Sequence, residues 1–531
     1  MLRTLIAATA AAFFFLAVSG PAAAFTKQDL TVKSFDGTPL ATTLYVPDGA
    51  PPAAGWPAIV FFHGLGGDRS DTSVIAQSMG LIGENYVVLT VDARGHGASG
   101  GLIGIDGPNE LRDVQTLYAW LAARPDVADA KIGAWGISLG GGAVWTSLAA
   151  GVPWAAVEVV ETWTNLRSAL LPQNLAKSGI IAGFIGSLPP ARVDPSAFMA
   201  VDAAYKGVLG PVDAFGVPRS PIAALKGLKT PVFMMQGRRD FAFGMGQALQ
   251  AYNTIAGPKR LWLGLHGHAP STFPGPDSPA MLAEGTQWFD HYLRSSDNGI
   301  ERSEPVAVAP ENWTGKPVRF DAPPKPVAEV IRLAGSSAIL PSGKVQRSTV
   351  LKRPLEVFGA PVVTVAARAN AGWTRIVAVL SARTPAGKEI VVAGGGVPTR
   401  AGATRYRIYL SNQATFIPSG SKLTLTIATS SLAQDPGNLL YLDLPLGPAP
   451  SSCCSSQPPQ ARAPWPIPAS RRRPSSSAGR YRCRVRRRRS ALSDPARRRT
   501  STTSTRRAAS TGGRSTTAST TTATTRRRRC S

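Results

Sequence analysis

The sequence Lys-Ile-Gly-Ala-Trp-Gly-Ile-Ser-Leu-Gly-Gly-Gly at residues 131–142 is the part of the chain from which its fold is most readily inferred. A short apolar run ends at Gly136, and apolar residues recur at helical spacing after Gly140. This order predicts a strand, a tight turn and a helix, with Ser138 in the turn. A G-x-S-x-G turn in that setting exposes the serine hydroxyl, as a nucleophile requires. Ser138 is therefore the candidate nucleophile.

A second G-x-S-x-G match, at residues 97–101, shows that the motif alone is weak support. Ser99 is followed by glycines at positions 100, 101 and 104, where a helix should begin. Glycine disfavours a helix interior, so the context selects Ser138 over Ser99.

The net charge of +26 is concentrated at the end of the chain. Residues 451–531 contain 21 Arg, no Lys, one acid and all four cysteines, and the net charge of the rest is about +6. Residues 447–531 have almost no aliphatic run, which predicts disorder. Their abrupt onset and their Arg-without-Lys composition are typical of out-of-frame translation of G+C-rich DNA. A nucleic-acid-binding arm is the alternative; we expect no nucleic-acid partner and assign the tail no function.

Residues 1–24 are typical of a secretory signal peptide. Arg3 supplies the charged start, residues 5–18 the apolar core, and the alanines at 22–24 a small-residue cleavage site. An uncleaved membrane anchor is the alternative, but the apolar core is short for a span. We expect a protein secreted or directed to the periplasm or cell envelope, without a stable membrane anchor after cleavage.

The chain between residues 25 and 303 alternates apolar runs with helical segments, which predicts a parallel sheet with helices on both faces. Residues 163–225 break this alternation with several prolines and short apolar helical pieces. They are predicted to form a cap over the site, with ordinary connecting helices as the alternative. From residue 304 to 446, short alternating runs separated by turn residues predict an all-β sandwich.

Two residues later in the chain are positioned to activate Ser138. Asp240 and His268 each follow a predicted strand, and sites in open α/β sheets form at the carboxyl ends of strands. Their chain order, Ser, Asp, His, is that of α/β-hydrolases. His268 is the predicted base and Asp240 its orienting carboxylate. His266, two residues earlier, competes for the role of base.

The backbone N–H groups of Leu139 and Leu65 are the predicted oxyanion donors. Leu139 follows the nucleophile, and Leu65 lies in the glycine loop after His63. His63 and His96 are both interpreted as structural. The sequence contains no metal cluster or phosphate loop with suitable spacing, so no metal and no cofactor are expected.

Several motifs resemble α/β-hydrolases: Asp36-Gly37 with its following strand, Asp-Ala-Arg-Gly-His-Gly at 92–97, Gly-Ile-Ser-Leu-Gly at 136–140 and Gly-Arg-Arg-Asp at 237–240. The order of catalytic domain, cap and β-sandwich resembles the Xaa-Pro dipeptidyl-peptidase and cocaine-esterase family. Residues 354–361, Pro-Leu-Glu-Val-Phe-Gly-Ala-Pro, resemble the start of that family's C-terminal jelly roll, which is galactose-binding-like. The resemblance covers residues 29–446. It implies Ser138, Asp240 and His268 as a catalytic triad.

This chain departs from the family at two positions. Leu139 stands where members usually carry Tyr, and the glycine loop at Leu65 stands where many offer a Tyr side chain to the oxyanion. A dipeptidyl-peptidase also needs acids for the free amine of its substrate, for which Glu158, Glu161 and Asp202 are candidates.

The resulting hypothesis is an exported serine hydrolase that cleaves a small-molecule ester or Xaa-Pro-type peptide bond through an acyl-enzyme. The alternative is a catalytically decayed hydrolase that binds polysaccharide or a cell surface through its sandwich. Oligomeric state is left open.

Overall fold

The computed structural model describes residues 25–337, 343–367 and 372–443. The predicted signal peptide and the predicted Arg-rich tail lie outside these residues. All of the described residues belong to one compact unit. None of the described helices is both long and apolar enough to cross a lipid bilayer.

A ten-stranded sheet forms the first part of the described chain. Its strands are β1 (Phe25–Lys33), β2 (Pro39–Pro47), β3 (Trp56–Phe62), β4 (Val87–Val91), β5 (Val127–Ile137), β6 (Val157–Val160), β7 (Val232–Gly237), β8 (Lys259–Gly264), β9 (Val306–Val308) and β10 (Val318–Phe320). Their order across the sheet is β1-β2-β4-β3-β5-β6-β7-β8-β9-β10. All neighbours from β4 to β9 are parallel, so the carboxyl ends of these strands share one edge.

Nine α-helices are present among the described residues. They are α1 (Arg69–Ser78), α2 (Pro108–Ala122), α3 (Leu139–Ala149), α4 (Leu166–Leu170), α5 (Ser178–Gly186), α6 (Pro195–Tyr205), α7 (Leu209–Gly216), α8 (Gly246–Thr254) and α9 (Ser278–Arg294). Helices α2, α3 and α8 pack into one core cluster against the sheet, and α1 and α9 into another. Because both faces are covered, the central strands are apolar on both sides, as predicted.

The cap consists of α4 to α7 and lies in the chain between β6 and β7. Its helices are short, and α6 begins at Pro195, a residue that fits the first turn of a helix. This is the segment whose proline content interrupted the strand–helix alternation in the sequence.

The sheet continues past the domain boundary predicted at residue 303. Strands β9 and β10, which the prediction assigned to the sandwich, extend the catalytic sheet from β8. Each strand has only three residues, too few to display a period of either kind. The boundary prediction was therefore wrong by at least the length of this segment.

The rest of the described chain is all-β. Its strands are β11 (Val345–Val350), β12 (Leu355–Gly359), β13 (Val362–Ala366), β14 (Arg375–Arg383), β15 (Glu389–Pro398), β16 (Arg405–Tyr409), β17 (Gln413–Ile417) and β18 (Lys422–Ala428). A four-stranded sheet, β11-β18-β14-β15, is accompanied by the pairs β12–β17 and β13–β16, all antiparallel. The predicted fold class, an α/β-hydrolase domain with a helical cap followed by an all-β sandwich, is confirmed. The jelly-roll connectivity stays a prediction.

Candidate active site

Ser138 occupies a strained turn between β5 and α3. Its φ is +53° and its ψ is −113°, a combination that residues other than glycine rarely adopt. A Cβ at Gly136 would overlap the Gly140 carbonyl, and a Cβ at Gly140 would overlap that of Phe62. The two motif glycines therefore allow the turn to pack closely, with Ser138 at its apex.

The structure brings Ser138, His268 and Asp240 together. The Ser138 Oγ lies 3.0 Å from His268 Nε2, and His268 Nδ1 lies 2.8 Å from Asp240 Oδ2. A carboxylate can only accept, so Nδ1 carries the proton and Nε2 is the acceptor for the serine hydroxyl. This is the arrangement that a nucleophile and its base require.

The Asp240 carboxylate is fully buried and held by backbone donors. Its Oδ1 accepts from the N–H groups of Ala242 and Phe243, at 2.8 Å each. Its Oδ2 accepts from the His268 N–H at 3.1 Å as well as from the ring. His268 is thus held by one carboxylate oxygen through both its backbone N–H and its ring.

The environment of His268 favours its charged form. Burial acts to lower the pKa of the imidazole, but the Asp240 carboxylate, with a smaller contribution from Glu161, raises that pKa above its usual value. A base whose protonated form is stabilised in this way is suited to holding the serine proton during the reaction.

A second acid–histidine cluster, Glu161–His266–Asp277, lies directly behind these residues. His266 Nδ1 is 3.7 Å from Asp277 Oδ2, and His266 Nε2 is 3.9 Å from Glu161 Oε1. The His266 side chain is 0% exposed, whereas that of His268 is 19% exposed. His266 is thus buried, whereas His268 lies within hydrogen-bond distance of Ser138; the geometry favours His268 as the base.

The position of Glu161 was not anticipated by sequence reasoning, which named it only as an amine-binding candidate. It follows β6, and one of its carboxylate oxygens lies within 4.8 Å of ligand atoms of Asp240 and His268. Burial raises the pKa of Glu161 to about 7, against an opposing effect of His266 and His268. The available signal was its place at a strand exit, the same signal that located Asp240 and His268.

Glu161, Asp240 and His268 also form a set of potential metal-ligand atoms. Both nitrogens of His268 are already engaged, one with Ser138 and one with Asp240. A cation at this position would have to displace the hydrogen bond to the serine or to the aspartate. The geometry therefore favours acid–base chemistry over metal binding.

The two predicted oxyanion residues lie beside Ser138. Leu65 and Leu139 line the same cavity as Ser138, and Leu139 is the first residue of α3. The N-terminus of a helix presents N–H groups and positive potential, which suits a developing oxyanion. A Cβ at Gly64 would lie 3.5 Å from that of Ser138, so the loop that carries Leu65 passes close to the nucleophile. The donor roles stay a prediction.

The histidine of the glycine loop is structural in its contacts. His63 Nε2 accepts from the Ala93 N–H at 3.0 Å, and Nδ1 lies 2.7 Å from the Gly64 carbonyl oxygen. Its ring contacts that of His96 edge-on at 4.9 Å.

The neighbouring turn is salt-linked. Asp92 pairs with Arg69, and Arg94 pairs with Asp113 at 2.6 Å. The Ser99 hydroxyl of the second G-x-S-x-G match donates to the Asp92 carbonyl at 2.6 Å and is buried. The Ser99 side chain therefore stabilises this turn.

None of the three amine-binding candidates, Glu158, Glu161 and Asp202, is among the described residues that line the cavity above Ser138. Glu158 is fully buried in β6, where it is paired in register with Trp135 and Phe233. Asp202 is exposed on α6 and pairs with Lys206 at 2.7 Å. Neither carboxylate lines the cavity above Ser138.

Support for the Asp240 loop comes from two regions that sequence reasoning did not connect with it. Gln413 of the sandwich donates to the Asp240 carbonyl at 3.0 Å. Lys177, just before α5 of the cap, donates from Nζ to the carbonyls of Phe241 and Ala242 at 2.8 and 3.0 Å. Burial lowers the pKa of Lys177 to about 8. The cap and the sandwich thus both brace the loop that orients the histidine.

Comparison with known proteins agrees with this fold. Residues 36–169 match the family model described as X-Pro dipeptidyl-peptidase (S15 family). No curated protein sequence is significantly similar to the chain.

Three solved structures are similar over most of their length, each at 15% identity. A CocE/NonD family hydrolase from Staphylococcus aureus has a TM-score of 0.58, over 77% of this chain and 86% of that chain. An aminopeptidase from the marine sediment archaeon Thaumarchaeota archaeon has a TM-score of 0.55, over 79% and 91%. An alpha-amino acid ester hydrolase has a TM-score of 0.55, over 77% and 90%.

At this identity the solved structures establish the fold. Together with the family match, they confirm the predicted resemblance to Xaa-Pro dipeptidyl-peptidases and cocaine-esterase-like hydrolases. The same findings support a hydrolase of ester or peptide bonds.

Proposed function

We propose that this protein is a serine hydrolase that cleaves ester or peptide-type bonds through an acyl-enzyme on Ser138. The observation that carries the proposal is the continuous hydrogen-bond chain from Ser138 Oγ through His268 to Asp240, at 3.0 and 2.8 Å. The strained backbone of Ser138 supports it, because such strain is maintained where it positions a functional group.

In the proposed reaction, Ser138 Oγ attacks the acyl carbon of the substrate and its proton passes to His268 Nε2. Asp240 stabilises the imidazolium that results. The oxyanion is bound by the backbone N–H groups of Leu65 and Leu139. Collapse of the tetrahedral intermediate breaks the bond to the leaving group, which takes the proton from His268. Water, activated by the same imidazole, then releases the acid and restores Ser138.

Labelling with a fluorophosphonate probe tests this proposal. The probe should label the wild-type protein, and Ser138→Ala should abolish the labelling while leaving the folded state intact. Ser99→Ala is the matched control, because Ser99 lies in the other G-x-S-x-G match and is committed to the Asp92 turn. Full labelling of Ser138→Ala would contradict the proposal, as would loss of labelling in Ser99→Ala alone.

We also propose that the protein is exported, on the basis of residues 1–24 of the sequence. Expression with its native N-terminus, followed by N-terminal sequencing of the exported product, should yield a chain that starts at Phe25. A full-length chain retained inside the cell would contradict export without affecting the catalytic proposal.

A further inference from the structure

We propose that the acyl part of the substrate is a medium-length hydrocarbon chain, held in the cavity between Ser138 and the cap. This inference rests on the proposed function, since it assigns a substrate class to the same site. It favours esters of fatty acids over peptides with a free amino terminus.

The cavity begins at the nucleophile. Ser138 and Leu139 form part of its wall, and the space, including its open mouth, is about 820 Å³. A group bonded to Ser138 Oγ therefore has a continuous path into the space under the cap.

The part of the cavity nearest Ser138 has aromatic walls. The Phe243 ring meets the His268 ring edge-on at 5.1 Å, and the Phe184 ring meets it at 5.7 Å. Phe184 belongs to α5 of the cap, and Phe243 follows the Asp240 loop. The two rings thus border the catalytic histidine on the side of the acyl path.

The far part of the cavity is lined by aliphatic residues of the cap. Ile181 of α5, Ala204 of α6 and Val212 of α7 are all buried and share one apolar cluster. Three different helices therefore contribute to a hydrocarbon-like end of the cavity. Such a surface gains free energy by burying methylene groups.

The one charged residue in the described wall does not offer its charge to a ligand. Arg167 Nε lies 3.0 Å from Asp213 Oδ1, and its Nη2 donates to Asn174 Oδ1 at 2.6 Å. Its guanidinium is already paired, so its aliphatic stem is the part that lines the space. A substrate ammonium placed here would lose its hydration without compensation. The wall therefore selects an uncharged acyl chain.

A chain-length series tests the inference. The rate constant kcat/KM is measured for p-nitrophenyl esters from acetate to dodecanoate and for Ala-Pro p-nitroanilide. We expect kcat/KM to rise about fourfold per added methylene until the cavity is filled, and then to fall. The anilide should be the poorer substrate. An optimum at acetate, or cleavage of the anilide faster than the best ester, would overturn the inference.

Variants at the far end of the cavity make the test specific. Ala204→Phe should lower kcat/KM for decanoate by about tenfold or more and leave acetate within about threefold, because only the distal space is filled. Met199→Phe, on the solvent face of the same helix, is the matched control and should change neither rate. Retained acetate cleavage shows that Ala204→Phe is folded. Equal losses for both esters in that variant would overturn the inference.

Val212→Ala is the opposite change, because it removes side-chain volume from the cavity wall instead of adding it. It enlarges the far end, so the optimum should move to a longer chain. An unchanged optimum would count against the inference. The two proposals fail differently: fluorophosphonate labelling with an acetate optimum refutes only the acyl-chain inference, whereas no labelling and no ester cleavage refutes both.

Discussion

His266 and His268 lie two residues apart in the chain but differ in exposure and in their distance from Ser138. Both are flanked by carboxylates, His268 by Asp240 and His266 by Asp277 and Glu161. Only His268 has hydrogen-bond geometry on both ring nitrogens, and only it is exposed toward Ser138. The comparison shows that both clusters contain a histidine paired with a carboxylate, so this pairing alone does not identify a base. What distinguishes His268, the proposed base, is its exposure and its distance to Ser138.

The largest expected difference between the two clusters is in catalysis at the histidines themselves. His268→Ala should lower kcat for a p-nitrophenyl ester by about four orders of magnitude or more, because Ser138 loses its proton acceptor. His266→Gln is the matched control, with a loss of about tenfold at most. Steady-state kinetics on folded protein measures both, and comparable inactivation of the two variants would break the distinction.

The aspartates of the two clusters should also differ in their effect on kcat, with Asp240 the more important. Asp240→Asn should lower kcat by about ten-thousandfold, because an amide does not hold the required tautomer of His268. Asp277→Asn should leave kcat within about tenfold but lower the free energy of unfolding by about 1–3 kcal/mol. The reason is that Asp277 accepts from the Trp262 ring and from the Leu265 N–H. Kinetics and urea titration separate the two effects, and a catalytic loss in Asp277→Asn that matches that of Asp240→Asn would contradict this assignment.

Glu158 can be compared with the acids of the two clusters, because it is buried without a histidine beside it. Both of its carboxylate oxygens lack a hydrogen-bond partner, and burial, together with Glu284, raises its pKa well above the usual value. The folded state then retains a proton that the unfolded state releases, so stability falls as pH rises above about 4.5. Glu158→Met should raise the free energy of unfolding by about 1–3 kcal/mol at neutral pH, and by less at pH 4.

The control for that variant is Glu284→Gln, which removes a neighbouring acid that is paired with Arg260 and Arg319. It should destabilise the protein, since it leaves two arginines without their partner. Urea titrations across pH measure both variants. A Glu158→Met variant that is less stable than wild type at neutral pH would show that the buried Glu158 carboxyl group does not lower the free energy of unfolding.

The smallest expected effect comes from Glu161, the acid shared by the two clusters. It is an electrostatic shift in the pH dependence of kcat/KM. The Glu161 carboxylate raises the pKa of His268, and catalysis requires the neutral imidazole. Glu161→Gln should therefore move the acidic limb of the kcat/KM profile to lower pH. The pH–rate profile of the variant is the measurement, with Asp277→Asn as the control for a change at the far side of the cluster. A limb that moves to higher pH would contradict the assigned sign.

Local patterns in the sequence were sufficient to predict the parts of the molecule that depend on local physics. Apolar runs followed by turn residues predicted the strands of the catalytic sheet, and the strand–turn–helix context separated Ser138 from Ser99. The strand exits also predicted Asp240 and His268, because parallel strands deliver their carboxyl ends to one edge. The structure brings these three residues together.

Features that depend on distant contacts could not be predicted in this way. Gln413 supports the Asp240 loop across 173 residues of chain, and no local pattern marks such a bond. The three-residue strands take their conformation from sheet pairing, β9 with β8 and β10 with β9, and they are too short to show a period in the sequence. The cap was predicted as a segment, but helices this short do not reveal which face lines the cavity.

The central claim is that Ser138 carries the acyl group, and a trapped intermediate tests it most directly. The protein is mixed with excess p-nitrophenyl octanoate, quenched in acid within the first turnover, digested and analysed by mass spectrometry. We predict a burst of p-nitrophenol close to one equivalent and an octanoyl adduct on Ser138. An adduct on another residue, or turnover with no adduct and no burst at any quench time, would contradict the claim.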